Sequence, residues 1–188
     1  MNFDKVIAVD PGLSGGIAIY GRSGVGCAKM PVKEIKKGSK VSRETDIEEL
    51  AKILSQQKQD YTPIVFIEKV QGWISDTDQN QGKRFRIQKM LANYEALKTA
   101  IIMSQIPLVE VIPRTWQTYL GLVIKGMEKD DRKRMYLKAA KEYYPEQNVA
   151  GWNGDALCIL QFGRMKLQFD PDWVKKRAGI KESQGSLL

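Results

Sequence analysis

Hydrophobic and polar positions alternate along this chain in two regimes. The first covers the N-terminal thirty residues, where apolar runs are short and β-branched. KVIAVD at residues 5–10 ends on an acid, IAIY follows Gly15 and Gly16, and a third run near residues 25–30 is flanked at its start by Gly24 and Gly26. Pro11 and Gly12 turn the chain after the first run, so three strands with tight connections predict an antiparallel meander. Residues 33–43 are basic and polar and predict a loop. Beyond them the period lengthens. Thr45 with Glu48 has the form of a capping box, and Ile47, Leu50, Ala51 and Leu54 lie on one face of a helix running to about residue 57. IVFIEKV at residues 64–70 is apolar except for Glu68 and Lys69, as in a central strand buried on both faces. QGWISDTDQNQG at residues 71–82 predicts a loop. Ile87, Met90, Leu91, Tyr94, Leu97 and Ile101 predict a long helix to about residue 104. Residues 107–112 form another strand, ended by Pro113. A short helix carrying Trp116 and Leu120, a basic helix near 130–143 stopped by Pro145, and a last helix over 153–167 complete the pattern. The chain is therefore α/β, a mixed five-stranded sheet with an antiparallel start, flanked by helices. One domain is expected over 1–169, with a polar, flexible C-terminal tail over 170–188.

Composition narrows the partners. The 188 residues are 43% hydrophobic and 28% charged, enough to bury a core without disulfides or structural metals. Thirty Lys and Arg against 22 Asp and Glu leave a net charge of +8 and a pI near 9.4, which points to a polyanion, nucleic acid before an acidic membrane surface. No apolar run exceeds five residues, so neither a membrane span nor a signal-peptide core is expected. Cys27 and Cys158 sit in apolar segments and read as buried thiols in a reducing compartment, a cytoplasm. Histidine is absent, which excludes imidazole-based catalysis and zinc sites that need histidine. Chemistry is left to carboxylates, lysines, hydroxyls or an oxygen-ligated metal.

Three acids stand where burial makes them costly: Asp10 at the end of the first strand, Glu68 inside the most apolar one, and Asp155 at the start of the last helix. If the first and fourth strands are neighbours, Asp10 and Glu68 meet, and the last helix can bring Asp155 to them with its N-terminal amides favouring the ionised form. Oxygen-only ligation of this kind suits Mg²⁺ or Mn²⁺. Two such ions about 4 Å apart can drive phosphodiester cleavage. Each acid also has an ordinary reading: Asp10 capping the Pro-Gly turn, Glu68 paired with Lys69 or an arginine, Asp155 as a helix-start acid.

At these residues the sequence resembles a family. VIAVDPGLSGGIAIY, VFIEKV, VEVIPRTWQTYLGL followed by a Lys-rich stretch and YYP, and GDALCIL are similar, in order, to the motifs of RuvC-like Holliday junction resolvases, phage-type members included. The similarity spans roughly residues 5–165. It implies an RNase H-like fold and a homodimeric, Mg²⁺-dependent endonuclease with two ions per site, Mn²⁺ substituting, that nicks opposing strands of a four-way DNA junction in a bacterial cytoplasm. No small-molecule cofactor and no membrane are implied. Asp10, Glu68 and Asp155 would be catalytic metal ligands. The family's second acid, three residues before the acid-Ala pair, falls here on Trp152. Asn153 is next to it and either caps the helix or serves the catalytic site as a neutral oxygen ligand. In the second case Asn153→Asp would tighten the weaker ion.

DNA-facing groups are expected in two clusters. Lys83, Arg84 and Arg86 follow the loop after Glu68, and Lys125, Lys129 and Lys133 lie on and before the basic helix; Arg114 falls in the VIPRTW motif. Such groups hold phosphates without reading bases. They read equally as a solvated basic face. Trp73 could stack at the branch point or fold onto the core, and Trp116 reads as core or dimer contact. Two other functions compete: a catalytically weak junction-binding protein, and an actin-like or sugar-kinase-like nucleotide-binding domain, for which the chain is short.

Overall fold

The computed structural model describes residues 3–59, 61–72 and 81–180. Strands β1 (Lys5–Val9), β2 (Gly16–Gly21) and β3 (Gly24–Lys29) form the expected meander, antiparallel throughout. The next segment departs from expectation. Residues 33–43 are not a loop: β4 (Val32–Lys37) and β5 (Lys40–Thr45) pair as a separate two-stranded ribbon. Gly38, at φ +61°, makes the reversal between them. Thr45 is therefore the end of β5 and caps nothing. The N-cap of α1 (Ile47–Lys58) is Asp46, whose Oδ1 accepts from the Glu49 amide at 3.1 Å.

β6 (Pro63–Glu68) lies parallel to β1, and β7 (Leu108–Val111) parallel to β6. The main sheet runs β3-β2-β1-β6-β7, mixed and five-stranded with an antiparallel start, as expected. Helices α2 (Gln81–Met103), α3 (Pro113–Tyr119), α4 (Lys129–Tyr143), α5 (Gly154–Phe169) and α6 (Pro171–Arg177) complete the described chain. None of its helices is long and apolar enough to cross a membrane.

Strand alternation divides the core. Ile7, Val9, Ile17, Val65 and Ile67 face α1 and α2, where Leu50, Leu54, Leu97 and Ile101 meet them. Val6, Ala8, Ala18, Ile64 and Phe66 face the other way, onto α5. The first half of α5 is buried all round, with Ala156 through Leu160 inaccessible to solvent. Gly163 lets this helix lie on the sheet, since a Cβ there would come within 2.8 Å of the Phe66 ring. The segment beginning at Asp170, expected as a polar tail, starts with α6, and Val174 is buried beside α5 while Trp173 stacks edge-on against Phe162. Residues 181–188 lie outside the described chain.

Candidate functional site

Val9 is in register with Ile67, so the next residues, Asp10 and Glu68, leave the sheet side by side at its C-terminal edge. Alternation places both on the side of Ala8 and Phe66, the side covered by α5. The first turn of α5 supplies Asp155. A tight turn clamps Asp10. Its amide donates to the Gly16 carbonyl at 2.9 Å, and its Oδ1 accepts from the Gly12 amide at 3.2 Å. Residue 15 must be glycine, because a Cβ would stand 2.5 Å from the Asp10 carbonyl oxygen and 2.7 Å from its carboxyl carbon.

Asp10 and Glu68 are under-compensated. Burial, then the charge of Asp155, pushes Asp10 up to about 6. Burial, then Asp10 and Asp155, pushes Glu68 up to about 8. The cation at hand is Lys133 of α4, whose Nζ lies 2.8 Å from Asp155 Oδ2. Glu68 makes no ion pair with Lys69, whose charge acts on Glu110 instead, an acid held low against its burial by the Tyr94 hydroxyl first, then Lys98, and least by Lys69. Beneath the carboxyls, Trp116 and Tyr136 stack edge to face at 5.1 Å. The Trp116 indole N–H is close enough to favour ionised Glu68, yet completes no hydrogen bond of good geometry. Among the described residues, Trp116 Nε1, Tyr136 Oη and Asp155 Oδ1 are all buried polar atoms without a hydrogen-bond partner. Such a concentration of unsatisfied groups marks a place built for something more than packing.

As placed, among the described residues no group of three or more His, Cys, Asp or Glu could hold a metal ion. Lys133 engages Asp155 instead. The donor chemistry nevertheless suits a hard divalent cation: every candidate ligand is a carboxylate oxygen, one of them an unpartnered Oδ1, and no nitrogen or sulfur competes.

Of the other expected residues, Lys133 joins the acids directly, and Lys129 lies one helical turn before it at the start of α4. Arg114 is on the first turn of α3, just past the end of β7 and so on the same sheet edge. Lys125 is in the segment between α3 and α4. Lys83, Arg84 and Arg86 are on the first two turns of α2, where Lys83 and Arg84 already make interactions within the protein. Trp73 lies outside the described residues.

Asn153 requires a correction. It is 1% exposed and sits at the N-cap position of α5, but its side chain caps no helix amide. Its Oδ1 accepts from the Ala150 amide at 2.7 Å and its Nδ2 donates to the Asn148 carbonyl at 3.1 Å. The side chain is committed to closing the 148–153 turn and offers no oxygen to the carboxyl cluster. Two residues join the site that sequence spacing does not place there: Trp116, whose pattern reads as core or dimer contact, and Tyr136. Their roles depend on β7 lying beside β6, which brings α3 and its tryptophan under Glu68.

No family model matches the chain, and no curated protein matches it. Solved structures similar to it include Thermus thermophilus RuvC, with a TM-score of 0.49 at 12% identity over 87% of this chain and 95% of that one. Another is T. thermophilus RuvC in complex with Holliday junction substrate, with a TM-score of 0.49 at 10% identity over 88% and 96%.

Proposed function

We propose that the protein is a structure-selective endonuclease that resolves four-way DNA junctions by metal-dependent phosphodiester hydrolysis. The observation that carries this reading is the meeting of Asp10, Glu68 and Asp155 at one sheet edge, with Lys133 the cation among them. Divalent ions held there would supply an activated water and stabilisation of the leaving oxygen. Asp10, locked by its turn, and Glu68, backed by the Trp116 indole, would be the fixed ligands. Asp155 would exchange Lys133 for the ion, and Lys133 would then be free to hold a phosphate oxygen. Lys129 and Arg114 extend the positive charge along the same edge. The reading is tested by incubating the protein with a labelled four-way junction with and without Mg²⁺ or Mn²⁺: paired nicks are expected only with the ion, and a bound but intact junction would refute the nuclease.

A second reading has one observation in its favour. Lys133 neutralises Asp155 in the present arrangement and, among the described residues, no ready ligand group is formed, as suits a protein that binds junctions and cleaves them weakly. The same incubation separates the two.

The carboxyl shifts give an ion-specific test. A carboxyl raised from its ordinary range to about 6 or 8 keeps its proton in the folded state after the unfolded chain has lost it. Its contribution to stability is therefore present at low pH and lost as pH rises, from the ordinary carboxylate range through about 8. A divalent ion binds the ionised forms and restores that stability. Mg²⁺ should raise the melting temperature at pH 8.5 and hardly at pH 5.5, where protons occupy the same oxygens. Lys133→Met removes a competing cation and should lower the Mg²⁺ concentration for half of this effect by about fivefold, the scale of a partly exposed ion pair. An equal Mg²⁺ effect at both pH values would refute ion binding at these carboxyls.

A homodimer would match the two-fold symmetry of a junction. It is supported by the large apolar side chains left exposed on α2, namely Phe85, Ile102 and Met103, and by Val41 on the β4–β5 ribbon.

A further inference from the structure

We infer that the β4–β5 ribbon and α2 form a second phosphate seat, beside the carboxyl cluster, for the DNA strand that passes through it. The inference rests on the endonuclease reading and adds the part of the surface that holds the strand next to the cleaved bond.

The geometry is a cleft of about 440 Å³ with residues 11–13 as one wall, Arg43 of β5 as another, and Arg86, Lys89, Met90 and Asn93 of α2 as a third. The α2 positions fall at steps of three and four residues, so they form one stripe of that helix. Three cations from two elements face one space, and no acid lines it. Among the described residues, none of Arg43, Arg86 and Lys89 forms an ion pair. Glu34 stands directly across the ribbon from Arg43 without pairing with it. Like charges gathered around a concave space without counter-charge repel one another, and an anion entering that space relieves the repulsion. Arg43 and Arg86 offer forked donors suited to phosphate oxygens, Lys89 a point charge, and Asn93 a neutral donor. Met90 adds an apolar surface for a sugar ring.

The wall at residues 11–13 fixes which anion. It is the same turn whose Gly12 amide holds the Asp10 carboxylate. A strand with its reacting phosphate over Asp10 runs directly along this wall, so the cleft receives a neighbouring phosphate of that strand. The cations of the lining meet backbone phosphates, which are the same at every step of a strand and carry no base information. The ribbon takes no part in the five-stranded sheet, and on this inference its role is to carry Arg43 to the strand.

The test is the salt dependence of junction binding, measured in EDTA by fluorescence anisotropy of a labelled four-way junction over a KCl series. Arg43→Ala and Lys89→Ala should each flatten the slope of log affinity against log salt by about one, and the double variant by about two. Arg43→Lys should keep the parent slope. Lys52→Ala, on α1 and paired with Glu49, should also keep it. All of these side chains are on the surface, so the variants should fold, which circular dichroism would check. Slopes unchanged in Arg43→Ala and Lys89→Ala, with the parent protein binding the junction, would overturn this inference alone. Failure of the parent protein to bind any junction would overturn it together with the endonuclease reading.

Discussion

Asp155→Asn should reduce junction cleavage by about a thousandfold or more while leaving junction affinity unchanged or tighter. The size follows from what the residue does. Its Oδ1 is buried with no partner among the described residues, and its Oδ2 holds Lys133 at 2.8 Å. The amide has the same shape, so the first turn of α5 and its packing against α4 should be retained. The negative charge is lost, and with it both the attraction for a divalent ion and the tether on Lys133. Groups that act on the reacting phosphate contribute on the scale of about 10²–10³-fold or more, and the proposed ligand set of three has no spare member. Binding responds in the opposite sense, because a released Lys133 is one more cation for the phosphates. Single-turnover cleavage at saturating protein, with anisotropy for affinity, separates the two. Cleavage retained within tenfold, or binding and cleavage lost together in a folded variant, would remove Asp155 from the site.

How much of the molecule is legible in its sequence depends on how local each signal is. The acids at 10, 68 and 155 are legible because each ends, interrupts or immediately precedes an apolar run, and burial of an isolated carboxylate is too costly to be incidental. The parallel pairing of β1 with β6 then completes the placement. The β4–β5 ribbon is not legible. Its strands carry Ile35 and Val41 among lysines, arginine and glutamates, and it is paired only with itself, so no buried face imposes a clear apolar alternation. Thr45 mimics a cap one residue early for the same reason: it ends a strand that composition does not reveal. α6 is hidden within a polar segment whose apolar anchors, Trp173 and Val174, are adjacent to each other and give no period. Its start is nonetheless written in Asp170-Pro171, a proline at the first helical position. The burial of Trp116 follows from its pattern, but its nearness to Glu68 depends on the order of the parallel strands, which spacing along the chain does not encode.

Asn153→Asp should destabilise the protein by about 2–4 kcal/mol and should not tighten Mg²⁺ binding, the reverse of what a neutral metal ligand at 153 would give. Two effects compete. A negative charge at the N-terminus of α5 would gain about 0.3–1 kcal/mol from the helix dipole. Against this, the side chain is 1% exposed, and the Nδ2 donor to the Asn148 carbonyl at 3.1 Å would become a carboxylate oxygen facing that carbonyl. Replacing a buried donor by an acceptor leaves the carbonyl unsatisfied, at about 1–3 kcal/mol, and adds an unpaired charge on top. Asp155, another carboxylate with Lys133 as its ion-pair partner, is two residues away. The unfavourable side wins. Protonation would repair the contact, since a neutral carboxyl can again donate to Asn148. The new acid should therefore have a raised pKa in the folded state, and the stability deficit should shrink as pH falls and grow as pH rises. Urea unfolding of parent and variant at pH 5 and pH 8 measures this directly. A variant as stable as the parent at pH 8, and needing less Mg²⁺ for half-maximal thermal stabilisation, would restore residue 153 to the ligand set.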